Sequence, residues 1–277
     1  MAAPRRPMTA EALVGDLREV WASLDDLLDS LDDPDWDAPT DCPGWTVQDT
    51  VSHIIGTELM LAGHPDPAVD LPDDLPHVRN DIGRANEGSI LMRRDRPPAE
   101  VLAEFREVVR ERELQLEGLD QAAMDAESWT PAGNATYGRF MQIRVFDQWI
   151  HEQDIREAVG RPGGLSGPAA VRTLAEVTNG LGFVVGKKAG TPDGSSVRFV
   201  ITGPAPAVID VVVDGRAAVT DDLAGKPTAS ITTDLGSFIR LIGGRCGRGD
   251  PRVQGSVQVD GDTELADRVL DNMGYTI

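Results

Sequence analysis

At 277 residues the chain is long enough for two domains of ordinary size, each able to bury its own core. Its 46 acidic and 26 basic side chains give a formal net charge of −20, which argues against nucleic acid or an anionic membrane as partner, because both demand a basic face. Cys42 and Cys246 are too few for a disulfide framework or a thiolate-rich metal site, no apolar stretch approaches the roughly 20 residues of a membrane span, and MAAPRRPMTAEAL lacks an apolar signal region, so a cytoplasmic protein is expected.

The first predicted element is a helix over Thr9 to Leu31, where Leu13, Leu17, Val20, Trp21, Leu24, Leu27, Leu28 and Leu31 form one wide apolar stripe behind Thr9 as N-cap. DDPDWDAPTDCPGW, residues 32 to 45, reads as a loop rich in Asp, Pro and Gly. Thr46, with Asp49 three residues on, resembles a capping box; a second helix starts there and carries His53, with Trp45 as a packing residue at its entry. The proline-rich stretch 63 to 77 reads as a non-helical connection. Asn80 caps a weak helix in VRNDIGRANEGSILMRR, and a stronger helix runs from Pro98 to Leu119 on Val101, Leu102, Phe105, Val108, Val109 and Leu116. After a polar loop, QAAMDAESWTPAGNATYG, the segment Arg139 to Val159 reads as a helix that holds Asp147 and His151 and stops at GRPGG.

The character changes beyond about residue 190. VRFVITG, AVIDVVVDG, ASITT and RVQGSVQVDG are rich in Val, Ile and Thr, alternate apolar with polar residues and end in Gly or Asp, all of which predicts strands. Helices at about 234 to 243 and 262 to 273 accompany them, and Pro168 to Lys188 reads as a helix that begins this part or joins it to the first. The expected architecture is multidomain, α followed by α+β, with a helical bundle over 1–163 and an α+β domain over 164–277.

Only four histidines occur in the chain. Asp147 and His151, at i and i+4, share one helix face with Cβ atoms about 5 to 6 Å apart. They can close on one ion, and His53 is the candidate third ligand. Two imidazoles and a carboxylate leave coordination positions open, which is the catalytic rather than the structural pattern for zinc and also suits iron or nickel. Spacing alone leaves a plainer reading open, in which Asp147 and His151 are a surface hydrogen-bonded pair and His53 a satisfied core histidine. Asp154 reads as a helix-surface salt bridge, or alternatively as an acceptor beside the site.

The segment TDCPGWTVQDTVSHIIG resembles the helix-two signature of the DinB-like superfamily, in its actinobacterial branch of mycothiol-dependent maleylpyruvate isomerase-like proteins. RVFDQWIHEQDIREAVGRPGG is similar to that branch's second metal-ligand helix, and ASITTDLGSFIRLIGG with VQGSVQVDGDTELADRVL resembles the sterol-carrier-protein-like domain that follows. The resemblance spans nearly the whole chain. It implies a DinB-like four-helix bundle followed by a sterol-carrier-protein-like α+β domain, with a divalent metal held by His53, Asp147 and His151. Superfamily members pair His with His or Glu with His at this four-residue spacing, so Asp147 departs from both patterns. Arg245, in GGRCGRG, stands where related isomerases place a functional arginine, which implies a catalytic residue that binds a substrate carboxylate; a solvent-exposed loop arginine is the equal alternative.

The implied function is a metal-dependent, mycothiol-using isomerase or S-transferase acting on a small electrophilic substrate. The metal is zinc, or alternatively iron or nickel, and activates the thiol of mycothiol as co-substrate, so neither Cys42 nor Cys246 needs to react. Two other readings stay open. One is a non-catalytic small-molecule binding protein with a vestigial metal site, which the Asp147 departure favours; the other is a metal-dependent hydrolase that uses the same ligands.

Overall fold

The stripe behind Thr9 forms a helix because one face can be buried whole. In the computed structural model, which describes residues 5–72 and 75–276, α1 spans Ala10–Asp29; the Thr9 hydroxyl accepts from Ala12 N, and Leu13, Leu17, Val20, Trp21, Leu24, Leu27 and Leu28 are all buried. A short helix, α2 (Asp33–Trp36), follows inside the stretch expected to be loop. Its cause is local: Asp32 caps it, Pro34 lies in its first turn, and the Asp35 carboxylate accepts from Asp32 N.

The expected capping box is formed at α3 (Val47–Ala62), where Thr46 Oγ1 accepts from Asp49 N at 3.2 Å and Asp49 accepts from Thr46 N at 3.0 Å. A cap of this kind is worth about 1 kcal/mol. Asn80 caps α4 (Asp81–Leu91) through Gly83 N, and α5 covers Pro98–Glu117. The predicted polar loop after it holds α6 (Gln121–Asp125) and a two-residue hairpin, β1 (Glu127–Ser128) with β2 (Ala135–Thr136). Then comes α7 (Tyr137–Ala158), capped by Thr136.

The four long helices form the bundle, with α1 packed on α7 and α5, and α3 packed on α5 and α7. Helix α4 lies on α3. Their approach depends on Gly56, where a Cβ would come within 2.2 Å of Ser89 Oγ. This bundle, Met8–Gly164, is one of two compact units; the other runs from Leu165 onward and includes the segment ahead of Met8.

The second unit begins with α8 (Pro168–Thr178), and the expected single helix to Lys188 is instead interrupted and resumes as a wider π-helical turn, Phe183–Lys188. Five strands follow: β3 (Ser196–Thr202), β4 (Ala207–Asp214), β5 (Arg216–Thr220), β6 (Ala229–Asp234) and, after α9 (Leu235–Ile242) and α10 (Pro251–Gln254), β7 (Gln258–Gly261); α11 (Thr263–Asp271) closes the unit. The sheet order is β5-β4-β3-β6-β7, with β3 and β6 parallel at the centre and every other pair antiparallel. Phe199 of β3 meets Phe238 of α9 edge-on at 5.9 Å in a core shared with Ile209, Val211, Ile231 and Leu265. Strand β5 escapes the pattern because RAAVT is short and alanine-rich. The first half of RVQGSVQVDG is helical, because Asp250 caps Arg252 N and Pro251 opens the turn. Among the described residues no helix is long and apolar enough to cross a membrane.

Candidate metal centre

The packing of α3 on α7 brings together residues that the sequence keeps far apart. His53 Nε2 lies 3.2 Å from Asp147 Oδ2, His151 Nε2 lies 3.8 Å from Asp147 Oδ1, and one donor atom from each of the three lies within 4.8 Å of the others. Both histidines are buried, whereas the Asp147 side chain keeps 27% exposure, so it is the member of the set that borders solvent.

The face of α7 that carries them is polar throughout, with Arg144, Asp147, Gln148, His151 and Asp154 recurring at helical spacing inside the bundle. Burying such groups costs several kcal/mol each unless they are paired. Arg144 and Gln148 are paired with a single carboxylate of α3, shared with Arg112 of α5: Glu58 accepts from Arg112 Nε at 2.9 Å, from Arg144 Nε at 2.9 Å and from Gln148 Nε2 at 2.8 Å. Arg144 then reaches Asp147 Oδ2 through Nη1 at 2.5 Å, and Arg112 donates to the Tyr137 hydroxyl at 3.0 Å. Two arginines and two carboxylates thus balance in one buried network that ends at Asp147.

That network sets the ionisation of the centre. Burial alone would push the Asp147 carboxyl upward, but the Arg144 guanidinium, with His53 and His151 behind it, holds it well below the usual carboxylate range. For His53 burial dominates and lowers the pKa despite Asp147, with His151 and Arg144 adding repulsion, so the ring is neutral at pH 7. A neutral imidazole and an ionised carboxylate are the forms in which these groups bind a cation.

His151 is oriented from its other nitrogen. Asp154, buried rather than on the helix surface, places Oδ2 3.0 Å from His151 Nδ1 and accepts from Cys42 Sγ at 3.3 Å. This corrects the surface salt-bridge reading of Asp154. With Nδ1 engaged by the Asp154 carboxylate, Nε2 is the nitrogen that faces Asp147 Oδ1. Cys42, His151 and Asp154 form a second close set of donors, whose Cys42 Sγ and His151 Nδ1 both meet one Asp154 oxygen at hydrogen-bond distances.

Three observations test the fit of a divalent cation to His53, Asp147 and His151. Two ligand atoms about 2.1 Å from one ion stand about 3.4 Å apart at the tetrahedral angle; His53 Nε2 stands 3.2 Å from one Asp147 oxygen and His151 Nε2 3.8 Å from the other. His151 turns Nε2 toward Asp147 Oδ1 because its Nδ1 is engaged by Asp154. His53 Nδ1 is buried without a partner, so moving the ring proton there to release Nε2 breaks no other hydrogen bond. The donor set fits the ion.

Arg245 stands in the second unit, half-buried in the loop after α9, with Nη1 donating to the Gly243 carbonyl at 2.9 Å. Sequence reasoning missed Glu58, Arg144 and Cys42. The polar stripe of α7 was the available signal for Arg144; nothing in the sequence pairs Glu58 with α5 and α7.

Residues 17–156 match the model of the mycothiol maleylpyruvate isomerase N-terminal domain family, and residues 188–271 match that of the SCP-2 sterol transfer family. Among solved structures, the chain is similar to the mycothiol-dependent maleylpyruvate isomerase at 13% identity, with a TM-score of 0.59 over 92% of this chain and 93% of that one. A variant of that enzyme with one histidine replaced by alanine matches over the same extents at 13% identity and a TM-score of 0.60. No curated protein matches the chain in sequence.

Proposed function

The chain belongs to the mycothiol maleylpyruvate isomerase N-terminal domain family and continues into an SCP-2-like α+β domain, and from that membership we propose that it is a metal-dependent, mycothiol-using isomerase or S-transferase for a small electrophilic substrate. The observation that carries the proposal is the convergence of donor atoms from His53, Asp147 and His151 within 4.8 Å of one another. These three residues would hold the ion, zinc or alternatively iron or nickel. Such an ion supplies, when bound, a Lewis acid that makes a thiol proton acidic at neutral pH.

The chain's own residues prepare the rest. Asp154 holds the His151 ring by its Nδ1, and Arg144 keeps Asp147 ionised and aimed. Arg144 also neutralises much of the Asp147 charge, so the three ligands together offset less of a cation's charge than a free carboxylate would, which favours an anionic sulfur beside it. In the isomerase chemistry the thiolate adds to one carbon of a cis double bond activated by a carbonyl group, the adduct rotates about the resulting single bond, and elimination returns the thiolate and the trans product. Arg245 is the proposed ligand of a substrate carboxylate.

The proposal predicts that metal-loaded protein with mycothiol isomerises a small unsaturated keto acid or transfers the thiol to it, that omission of mycothiol reduces the rate to background, and that Arg245→Ala raises KM for the acid. Product analysis by liquid chromatography checks this. Turnover of an ester or amide without thiol would replace the proposal with the hydrolase reading; ligand binding with neither turnover nor metal uptake would replace it with the binding-protein reading, which Asp147, shorter than the Glu of the related pattern, favours.

A further inference from the structure

Trp45 precedes the cap of α3, where a packing role would suffice. Its indole is instead 5.3 Å, centroid to centroid, from the His53 ring and 5.9 Å from the His151 ring, while the two imidazoles meet edge-on at 4.9 Å. One half-buried side chain therefore touches histidines from two different helices. The terminal torsion of a histidine is broad and roughly two-fold when nothing packs against the ring. An indole against both rings narrows both torsions together.

The indole is itself pinned. Its Nε1–H donates to Glu87 Oε1 at 2.6 Å, and His77 Nε2 lies 2.8 Å from the same oxygen. Glu87 comes from α4 and is almost wholly buried, at 2% exposure, and its other oxygen lies 3.8 Å from Arg94 Nη2. The loop accommodates His77 because residue 44 is glycine: its φ is +82°, and a Cβ would stand 3.0 Å from His77 Nδ1.

We infer that Trp45 is a positioning residue of the metal centre, clamping His53 and His151, and that Glu87 with His77 holds it in place. The inference rests on the metal reading above and adds residues that lie outside the ligand set. Partners that orient metal ligands typically contribute about 10- to 100-fold in affinity.

The test is titration of the metal-free protein with Co2+, following the visible absorption of the bound ion. Trp45→Ala and Glu87→Ala are each expected to weaken binding by about 10- to 100-fold. Glu87→Gln is expected to fall closer to the parent, because its amide oxygen still accepts the indole proton. Thermal melting of the metal-free variants separates positioning from folding, since a purely structural role would lower the melting temperature and leave the affinity of the folded protein unchanged. Affinities equal to the parent's in Trp45→Ala and Glu87→Ala overturn the inference and leave the metal reading standing; if Glu87→Ala does not fold, Trp45→Ala decides alone. A parent that takes up no cobalt overturns both.

Discussion

Replacing His151 with alanine is expected to abolish metal binding, with an affinity loss of more than about 100-fold, beyond what removal of an orienting partner costs. The chelate is local to α7, where Asp147 and His151 stand four residues apart, and His53 joins it from α3. Without His151 the remaining pair is His53 with Asp147, and Asp147 is already engaged by Arg144 at 2.5 Å. What remains is an ion-pair cluster rather than a chelate. Equilibrium dialysis against zinc with elemental analysis measures the loss, and His151→Gln, nearer in size to the buried ring, separates loss of the ligand from the cavity that alanine leaves. Because the alternative donor set also uses His151, Cys42→Ser discriminates: it is expected to retain the ion. Full occupancy in His151→Ala would place the ion elsewhere.

The largest effect on stability is expected at Glu58. Its carboxylate is the common acceptor for Arg112, Arg144 and Gln148, and all four side chains are buried. Glu58→Gln leaves the buried Arg112 guanidinium without its carboxylate and Arg144 with Asp147 alone. Breaking a buried pair in this way costs about 3–5 kcal/mol, which for a domain of this size corresponds to a fall of roughly 10 °C in melting temperature. A double variant supplies the control. Glu58→Gln with Arg112→Met restores the charge balance and is expected to recover part of the loss, giving a coupling energy of about 1–3 kcal/mol. A Glu58→Gln protein that melts with the parent would show that the network carries little of the bundle's stability.

Most of the fold was legible because its elements follow local rules. Thr9, Thr46 and Asn80 cap the helices expected of them, and the stripe of α1 is buried from Leu13 to Leu28, with Leu31 half-buried beyond the helix end. Two of the misses share a cause. At Asp32–Pro34 and Asp250–Pro251, an aspartate followed closely by proline starts a helical turn inside a stretch that periodicity reads as loop or strand. The three candidate ligands were legible for a different reason, since two share a helix face and the third stands in a segment that resembles a known signature. Their supports were not. Glu58 acquires its role only when α5 and α7 pack on α3, and Trp45 only when the loop before α3 folds over both imidazoles; neither arrangement has a sequence period. Asp147 also looks different in place. As a bare sequence feature it was a shortened ligand, whereas in the bundle the shorter side chain is bonded to Arg144 and already stands 3.2 and 3.8 Å from the two histidine nitrogens.

The central claim is that His53, Asp147 and His151 hold an ion that binds a thiol. Cobalt reports on both parts in one cuvette: metal-free protein is titrated with Co2+, and mycothiol is then added. The account predicts uptake of one equivalent and, on addition of mycothiol, a new near-ultraviolet charge-transfer band from sulfur to cobalt. Failure to retain cobalt, or a bound cobalt spectrum that mycothiol leaves unchanged, would contradict it.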